Sequence, residues 1–189
     1  MRAMEQGGRW DMSLDLFSQM VRKTVPPDAR TYNTAIAACR KGFEWETALH
    51  LLGEMPSRNV RRDLVSFNSA ISSCEAGLQW ERSLDILVSM PQLTVMPDRV
   101  SYNAAITACE KCFQWQKAVS LYERMSDKNV VQDEISVNAL ILACGKGKQW
   151  QKSLGLLRGM PEQNLVPSQS SYGAAIDAVE VAGYWDLAL

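Results

Sequence analysis

The sequence predicts an all-α fold, a right-handed superhelical α-solenoid of tandem 35-residue helix–turn–helix repeats. Three observations carry that expectation. The six tryptophans, Trp10, Trp45, Trp80, Trp115, Trp150 and Trp185, stand 35 residues apart. Methionine (Met20, Met55, Met90, Met125, Met160) and cysteine (Cys39, Cys74, Cys109, Cys144) keep the same interval. No segment shows the two-residue alternation of a strand. Self-similarity at one fixed period marks stacked supersecondary units, none of which can bury its apolar face alone. The 189 residues hold about 5.4 such periods.

With Ala29 as the first position of a unit, whole repeats run 29–63, 64–98, 99–133 and 134–168. Partial repeats at 1–28 and 169–189 flank them in one continuous solenoid. Position four is aromatic or branched (Tyr32, Phe67, Tyr102, Val137, Tyr172), position eight is isoleucine (Ile36, Ile71, Ile106, Ile141, Ile176), and the cysteines fall at position eleven. Steps of four and three put these columns on one face of a first helix. Small residues between them, such as Ala35, Ala70 and Ala105, let a neighbouring helix approach closely. Asp28, Asp63, Asp98, Asp133 and Ser168 precede each first helix and are good N-caps. Gly42, Gly77 and Gly147 follow it at a position suited to a left-handed turn.

A second helix is expected from each tryptophan to each methionine, its face in the first whole unit being Trp45, Ala48, Leu49, Leu52 and Met55. Pro56, Pro91 and Pro161 discourage it from continuing, and Asn59, Asn129 and Asn164 suit left-handed turns. The tryptophan, methionine, isoleucine and cysteine columns read as core. Met1 aligns with Ile36 and Leu189 stops inside a second helix, which reads as frayed ends or as an excerpt of a longer repeat protein.

Composition narrows the function. A net charge of −1, from 20 Lys plus Arg against 21 Asp plus Glu, excludes a polycationic nucleic-acid binder and leaves selective ones open. With 47% hydrophobic residues the chain is globular, and its apolar runs are too short to span a membrane, so no membrane partner is expected. The single histidine, His50, leaves little material for acid–base catalysis or a histidine-rich metal site and reads as a surface or boundary residue. The sequence has no phosphate-cradling glycine loop, deaminase signature or nucleophile elbow, so no catalytic residue, cofactor or small-molecule substrate is expected. Cys109 and Cys112 form a Cys-x-x-Cys, but Cys109 belongs to the core column and no second ligand pair exists, which argues against a metal.

Ser-Tyr-Asn-Ala-Ala-Ile at 101–106, the Gly-x-x-Trp turn, the leucine-rich second helix ending in methionine and the closing Pro97-Asp98 resemble the pentatricopeptide repeat family. The uniform repeat length resembles its purely RNA-binding subclass. Arg62 and Gln132 depart from the family's usual proline, and Cys112 from its turn glycine; these bear on local stability more than on function. The resemblance implies single-stranded RNA as the partner, read at one base per repeat, together with other RNA-processing proteins, and residence in a chloroplast or mitochondrion. Base reading would fall to the fifth and last residues of each repeat: Asn33 with Asp63, Asn68 with Asp98, Asn103 with Asp133, and Asn138 with Ser168. By resemblance, Asn with Asp prefers uridine and Asn with Ser prefers cytidine, giving 5′-UUUC-3′. Val65, Val100 and Ile135 would sandwich bases, whereas Arg30 and Ser170 break that column. Lys41, Lys111 and Lys146 would reach phosphate, whereas Ala76 and Val181 cannot.

Two plainer readings stand beside this one. The Asp column serves as N-caps whether or not it reads bases. The Asn column, unfavourable inside a helix, implies inter-helix hydrogen bonds or ligand contact. A rival for the whole chain is a protein-binding scaffold like tetratricopeptide arrays, which the near-neutral charge favours. A third is a targeting subunit for an RNA nuclease or editing enzyme.

Overall fold

The structure is a computed structural model and describes residues 10–181 and 183. Trp185 and both chain ends, which entered the repeat reading, lie outside the described residues. Among the described residues there are ten α-helices and no strand. They are α1 (Trp10–Arg22), α2 (Ala29–Gly42), α3 (Trp45–Glu54), α4 (Leu64–Ala76), α5 (Trp80–Ser89), α6 (Arg99–Lys111), α7 (Trp115–Asp127), α8 (Glu134–Lys146), α9 (Trp150–Gly159) and α10 (Gln169–Val181). The chain divides into two compact units, Met1–Pro97 and Asp98–Leu189. In the first, α2 pairs with α3 and α4 with α5, α4 lies on both α2 and α3, and α1 lies on α2. In the second, α6 pairs with α7 and α8 with α9, α8 lies on α6 and α7, and α10 lies on α8 and α9.

First helices start where a carboxylate meets exposed backbone donors. Asp28 accepts from the Thr31 N–H at 2.8 Å. Asp63, Asp98 and Asp133 each form a reciprocal capping box with the serine three residues on, Ser66, Ser101 and Ser136. The helix then buries its repeating face: Tyr32, Ile36 and Cys39, and likewise Phe67, Ile71 and Cys74, are at most 1% exposed. Each large apolar side chain so buried contributes roughly 1.5–3 kcal/mol. In α10 the face departs from the column, because Tyr172 and Ile176 are 56% and 47% exposed.

The hairpin turn differs from the expected one. The left-handed residues are Phe43, Leu78, Phe113 and Lys148, with φ between 57° and 60°, one place after the glycine column. Gly77 and Gly147 have ordinary backbone at φ −80°. The glycines are needed for space. A Cβ on Gly77 would lie 2.5 Å from Trp45 Cδ1, and one on Gly147 would lie 2.3 Å from Trp115 Cδ1. The turns at Gly42, Gly77 and Gly147 thus receive Trp10, Trp45 and Trp115 of the hairpin before. The tryptophans are half-buried rather than core: Trp115 rests on Gly147 and carries Lys152 Nζ 4.6 Å from its ring centre.

Second helices bury Ala48, Leu51, Leu52 and Met55 in the first whole repeat; Leu51 takes the part expected of Leu49. Met55, Met90, Met125 and Met160 are all fully buried. The prolines do not end the chain's helical path but open 3₁₀ turns at Met55–Arg58, Pro91–Leu93 and Pro161–Gln163. Proline at the start of such a turn removes a donor that had no partner anyway. Where Ser126 replaces it, α7 continues as α-helix to Asp127. Asn59, Thr94, Asn129 and Asn164 then close each repeat at φ 55° to 63°.

The two departures from proline supply caps of their own. Arg62 Nε donates to the Leu52 carbonyl at 2.8 Å, and Gln132 Nε2 donates to the Tyr122 carbonyl at 2.9 Å. The first satisfies a carbonyl left without a helical donor, because the residue four places on is Pro56, which has no N–H.

Candidate nucleic-acid interface

Fifth-position asparagines stand one turn into each first helix, and the cap of the next first helix lies beside them. In the first unit, Asn33 on α2 donates Nδ2–H to Asp63 Oδ1 at 3.1 Å. Ser66 Oγ lies 2.6 Å from Asn33 Oδ1 and 2.9 Å from Asp63 Oδ1 and shares its one proton between them. The second unit repeats this arrangement. Asn103 donates to Asp133 Oδ1 at 3.1 Å, and Ser136 Oγ lies 2.6 Å from Asn103 Oδ1. The serine fixes which way the amide points, because a hydroxyl donor needs the carbonyl end. One amide N–H of each asparagine remains for another partner, while Asp63 Oδ2 also lies 3.4 Å from Asn33 Nδ2 and Asp133 Oδ2 faces Arg99.

Both acids are held ionised. Burial pushes the Asp63 carboxyl up, but the Ser66 N–H and hydroxyl, the Asn33 amide and the Val65 N–H outweigh it and lower the pKa below the ordinary value. Asp133 behaves alike, against burial, through Ser136, Asn103 and the nearby Arg99. Arg99 Nε stands 3.2 Å from Asp133 Oδ2. A carboxylate that stays charged can only accept hydrogen bonds.

Around the first pair lies an open groove of about 630 Å³ whose lining includes Arg30, Asn33, Asp63 and Val65. Val65, Val100 and Ile135 are 56%, 53% and 62% exposed.

The remaining expected residues are placed as follows. Asn68 lies on α4 of the first unit, and Asp98 caps α6 of the second. Asn138 and Ser168 do not meet directly: Glu134 stands between them, accepting from Asn138 Nδ2 at 3.3 Å and from the Ser168 hydroxyl. Lys41 and Lys111 are exposed. Lys146 Nζ is 2.5 Å from Glu110 Oε1, whose side chain is only 9% exposed, and 5.5 Å from the Phe113 ring centre. Its charge is therefore already partnered inside the protein.

Sequence reasoning missed Ser66 and Ser136, although the serine column at position three was visible. It also missed Arg99 and Glu134, whose position has no column at all. Burial raises the Cys39 and Cys74 thiols to about 11 and Cys109 to about 12. Among the described residues, no group of three or more His, Cys, Asp or Glu side chains is placed to hold a metal, and no helix is long and apolar enough to cross a membrane.

Hairpins stacked at a fixed period within each unit, with an asparagine of one first helix on the aspartate that caps the next (Asn33 on Asp63, Asn103 on Asp133), define a helical-repeat protein of the α-solenoid class. Sequence models of one family run along the chain: the PPR repeat at residues 1–25, 30–60 and 135–165, the pentatricopeptide repeat domain at 50–111, and the PPR repeat family at 97–146. The chain belongs to the pentatricopeptide repeat family. No curated protein matches it in sequence.

Solved structures share the fold. The PPR domain of Arabidopsis thaliana protein-only RNase P 1, in complex with tRNA, superposes with a TM-score of 0.75 at 18% identity, over 92% of this chain and 91% of that one. PPR10 in complex with an 18-nt psaJ RNA element gives 0.81 at 17% identity, over 93% of this chain and 26% of that one. Nuclear proteinaceous RNase P 2 from A. thaliana gives 0.73 at 13% identity, over 94% of this chain and 38% of that one. This chain thus spans about a quarter of PPR10's length.

Proposed function

We propose that this chain binds single-stranded RNA and reads one base per repeat, with no catalysis of its own. The observation that carries the reading is the recurrence, in each unit, of an asparagine and an ionised aspartate on consecutive first helices, tied by the same serine. Structural relatives crystallised with tRNA and with the psaJ RNA element support it. Asn33 with Asp63, Asn68 with Asp98, and Asn103 with Asp133 read the first three bases. A carboxylate accepts from the N3–H of uracil and repels the N3 lone pair of cytosine, so these slots select uridine. The family code assigns cytidine to the fourth, Asn138 with Ser168.

Val65, Val100 and Ile135 separate successive bases by apolar contact, and Lys41 and Lys111 meet phosphates. Lys146 contributes less, since Glu110 already neutralises it. Such a protein acts in the processing, stability or translation of its target in a chloroplast or mitochondrion, the usual setting of the family. Fluorescence anisotropy tests the reading, comparing a labelled RNA containing UUU with an A-rich RNA of equal length. Equal charge on the two ligands isolates base reading from phosphate attraction. Tighter binding of the U-containing RNA is expected. No binding to either, with peptide ligands captured instead, would favour the tetratricopeptide-like scaffold that the near-neutral charge allows.

A further inference from the structure

We infer that Glu134 sets the fourth slot to uridine, overriding the cytidine preference its Asn–Ser pair would otherwise give. The inference rests on the RNA-reading proposal and changes one of its assignments.

Position one of a repeat stands beside that repeat's last residue, and it differs in each slot. In the first slot it is Ala29, which lines the open groove beside Asp63. In the third it is Arg99, which pairs with Asp133 Oδ2 at 3.2 Å. In the fourth it is Glu134. Its Oε1 accepts from Asn138 Nδ2 at 3.3 Å, the role that Asp63 Oδ1 and Asp133 Oδ1 play toward Asn33 and Asn103 at 3.1 Å. The same oxygen accepts the Ser168 hydroxyl.

The direction of that last bond decides the chemistry. A carboxylate cannot donate, so Ser168 must, and a hydroxyl has one proton to give. Recognition of cytosine needs a donor to its unprotonated N3. Ser168 has spent its donor on Glu134 and offers lone pairs alone. Asn138 Nδ2 has one proton committed to Glu134 as well. What the slot presents is a carboxylate, a hydroxyl that has no proton left and also accepts from the Ser171 N–H, and the one remaining Asn138 amide proton, which every slot of this kind keeps. The carboxylate matches the N3–H of uracil and opposes the N3 lone pair of cytosine. The fourth slot therefore repeats the chemistry of the first and third with its acid supplied from position one.

The test uses the full chain and four RNAs that differ only at the base following UUU. Wild type is expected to bind the uridine RNA about tenfold more tightly than the cytidine RNA, one hydrogen bond to a charged group. Glu134→Ala recreates the first slot's position one and frees the Ser168 proton, so preference should move to cytidine. Ser168→Ala leaves the carboxylate in place and should keep the uridine preference. Cytidine preferred by wild type, or a uridine preference unmoved by Glu134→Ala, would overturn the inference while leaving RNA reading intact. Loss of preference in Ser168→Ala would assign the slot to the serine and also overturn it. Indifference to the first three bases as well would sink the RNA-reading proposal itself. Thermal melting of each variant confirms that folding is unchanged, and Glu134→Gln serves as a same-size neutral variant should Glu134→Ala melt early.

Discussion

Two glycine-to-alanine changes eight residues apart should act in opposite directions. At Gly147 the new methyl carbon would sit 2.3 Å from Trp115 Cδ1 and 2.5 Å from Cγ. These atoms lie at the root of the indole, so a small rotation of its tip cannot relieve the clash. Trp115 must leave its seat, abandoning both the glycine and its contact with Lys152. Overpacking of this kind costs about 1–3 kcal/mol. The backbone at Gly147 suits alanine, which returns about 0.4–1 kcal/mol by restricting the unfolded chain. The net expectation is a loss of about 1–2 kcal/mol, or a melting temperature roughly 2–8 °C lower.

At Gly155, inside α9, nothing lies within 4 Å of the added carbon. Alanine there should stabilise by about 0.5–1 kcal/mol. Thermal unfolding followed by circular dichroism reads both. In the Gly147→Ala background, Trp115→Ala should cost about 1 kcal/mol less than in wild type, because the two groups compete for one space. Stabilisation by Gly147→Ala, or full additivity with Trp115→Ala, would show that the tryptophan does not rest on the glycine.

Three further outcomes follow from charge and burial. Asp133 has a lowered pKa, so its contribution is complete above the unfolded value of ~3.9 and is lost as pH falls through the folded one. The melting-temperature gap between wild type and Asp133→Asn should be constant from neutral pH to about 5 and close below about 4. Glu110→Gln should free Lys146 and steepen the slope of log affinity for U-rich RNA against log salt by ~0.7, one single-strand phosphate contact; Lys146→Ala should change the slope little but cost more stability, since it strands a nearly buried carboxylate. In native protein a thiol reagent should modify Cys112 first, with Cys39, Cys74, Cys109 and Cys144 reacting only after unfolding, because each is fully buried.

The repeat was legible because its columns are fixed by packing. A position that is fully buried in all four whole repeats, as Ile36, Ile71, Ile106 and Ile141 are, tolerates little variation and so shows its period in the letters. The caps were legible for a similar reason, since Asp63 and Asp133 satisfy the same backbone donors each time. The turn glycines were visible but misread. Their spacing fitted a left-handed cap, and the tryptophan 32 residues earlier that they accommodate, Trp45 for Gly77, leaves no local signal. Periodicity placed the tryptophans in a core but does not measure depth, and Trp115, seated between Gly147 and Lys152, is half-exposed.

The proposed base-reading pairs rested on family resemblance, because Asn33 and Asp63 meet only across two stacked helices. Glu134 was not legible at all. Position one runs Ala29, Leu64, Arg99, Glu134 and Gln169, and a residue that modifies a single slot leaves no column. The Glu110–Lys146 pair was hidden likewise, since its partners sit on different repeats.

Selection from a randomised single-stranded RNA pool, run in parallel on wild type and Asp63→Asn, tests the account's central claim. Asparagine at position 63 keeps a good N-cap and replaces a pure acceptor with an amide that also donates. Wild type should enrich a contiguous motif beginning UUU, and Asp63→Asn should relax the first base of that motif while leaving the next two unchanged. An unstructured bound pool, or a motif that Asp63→Asn leaves untouched or alters at every position alike, would contradict reading at one base per repeat.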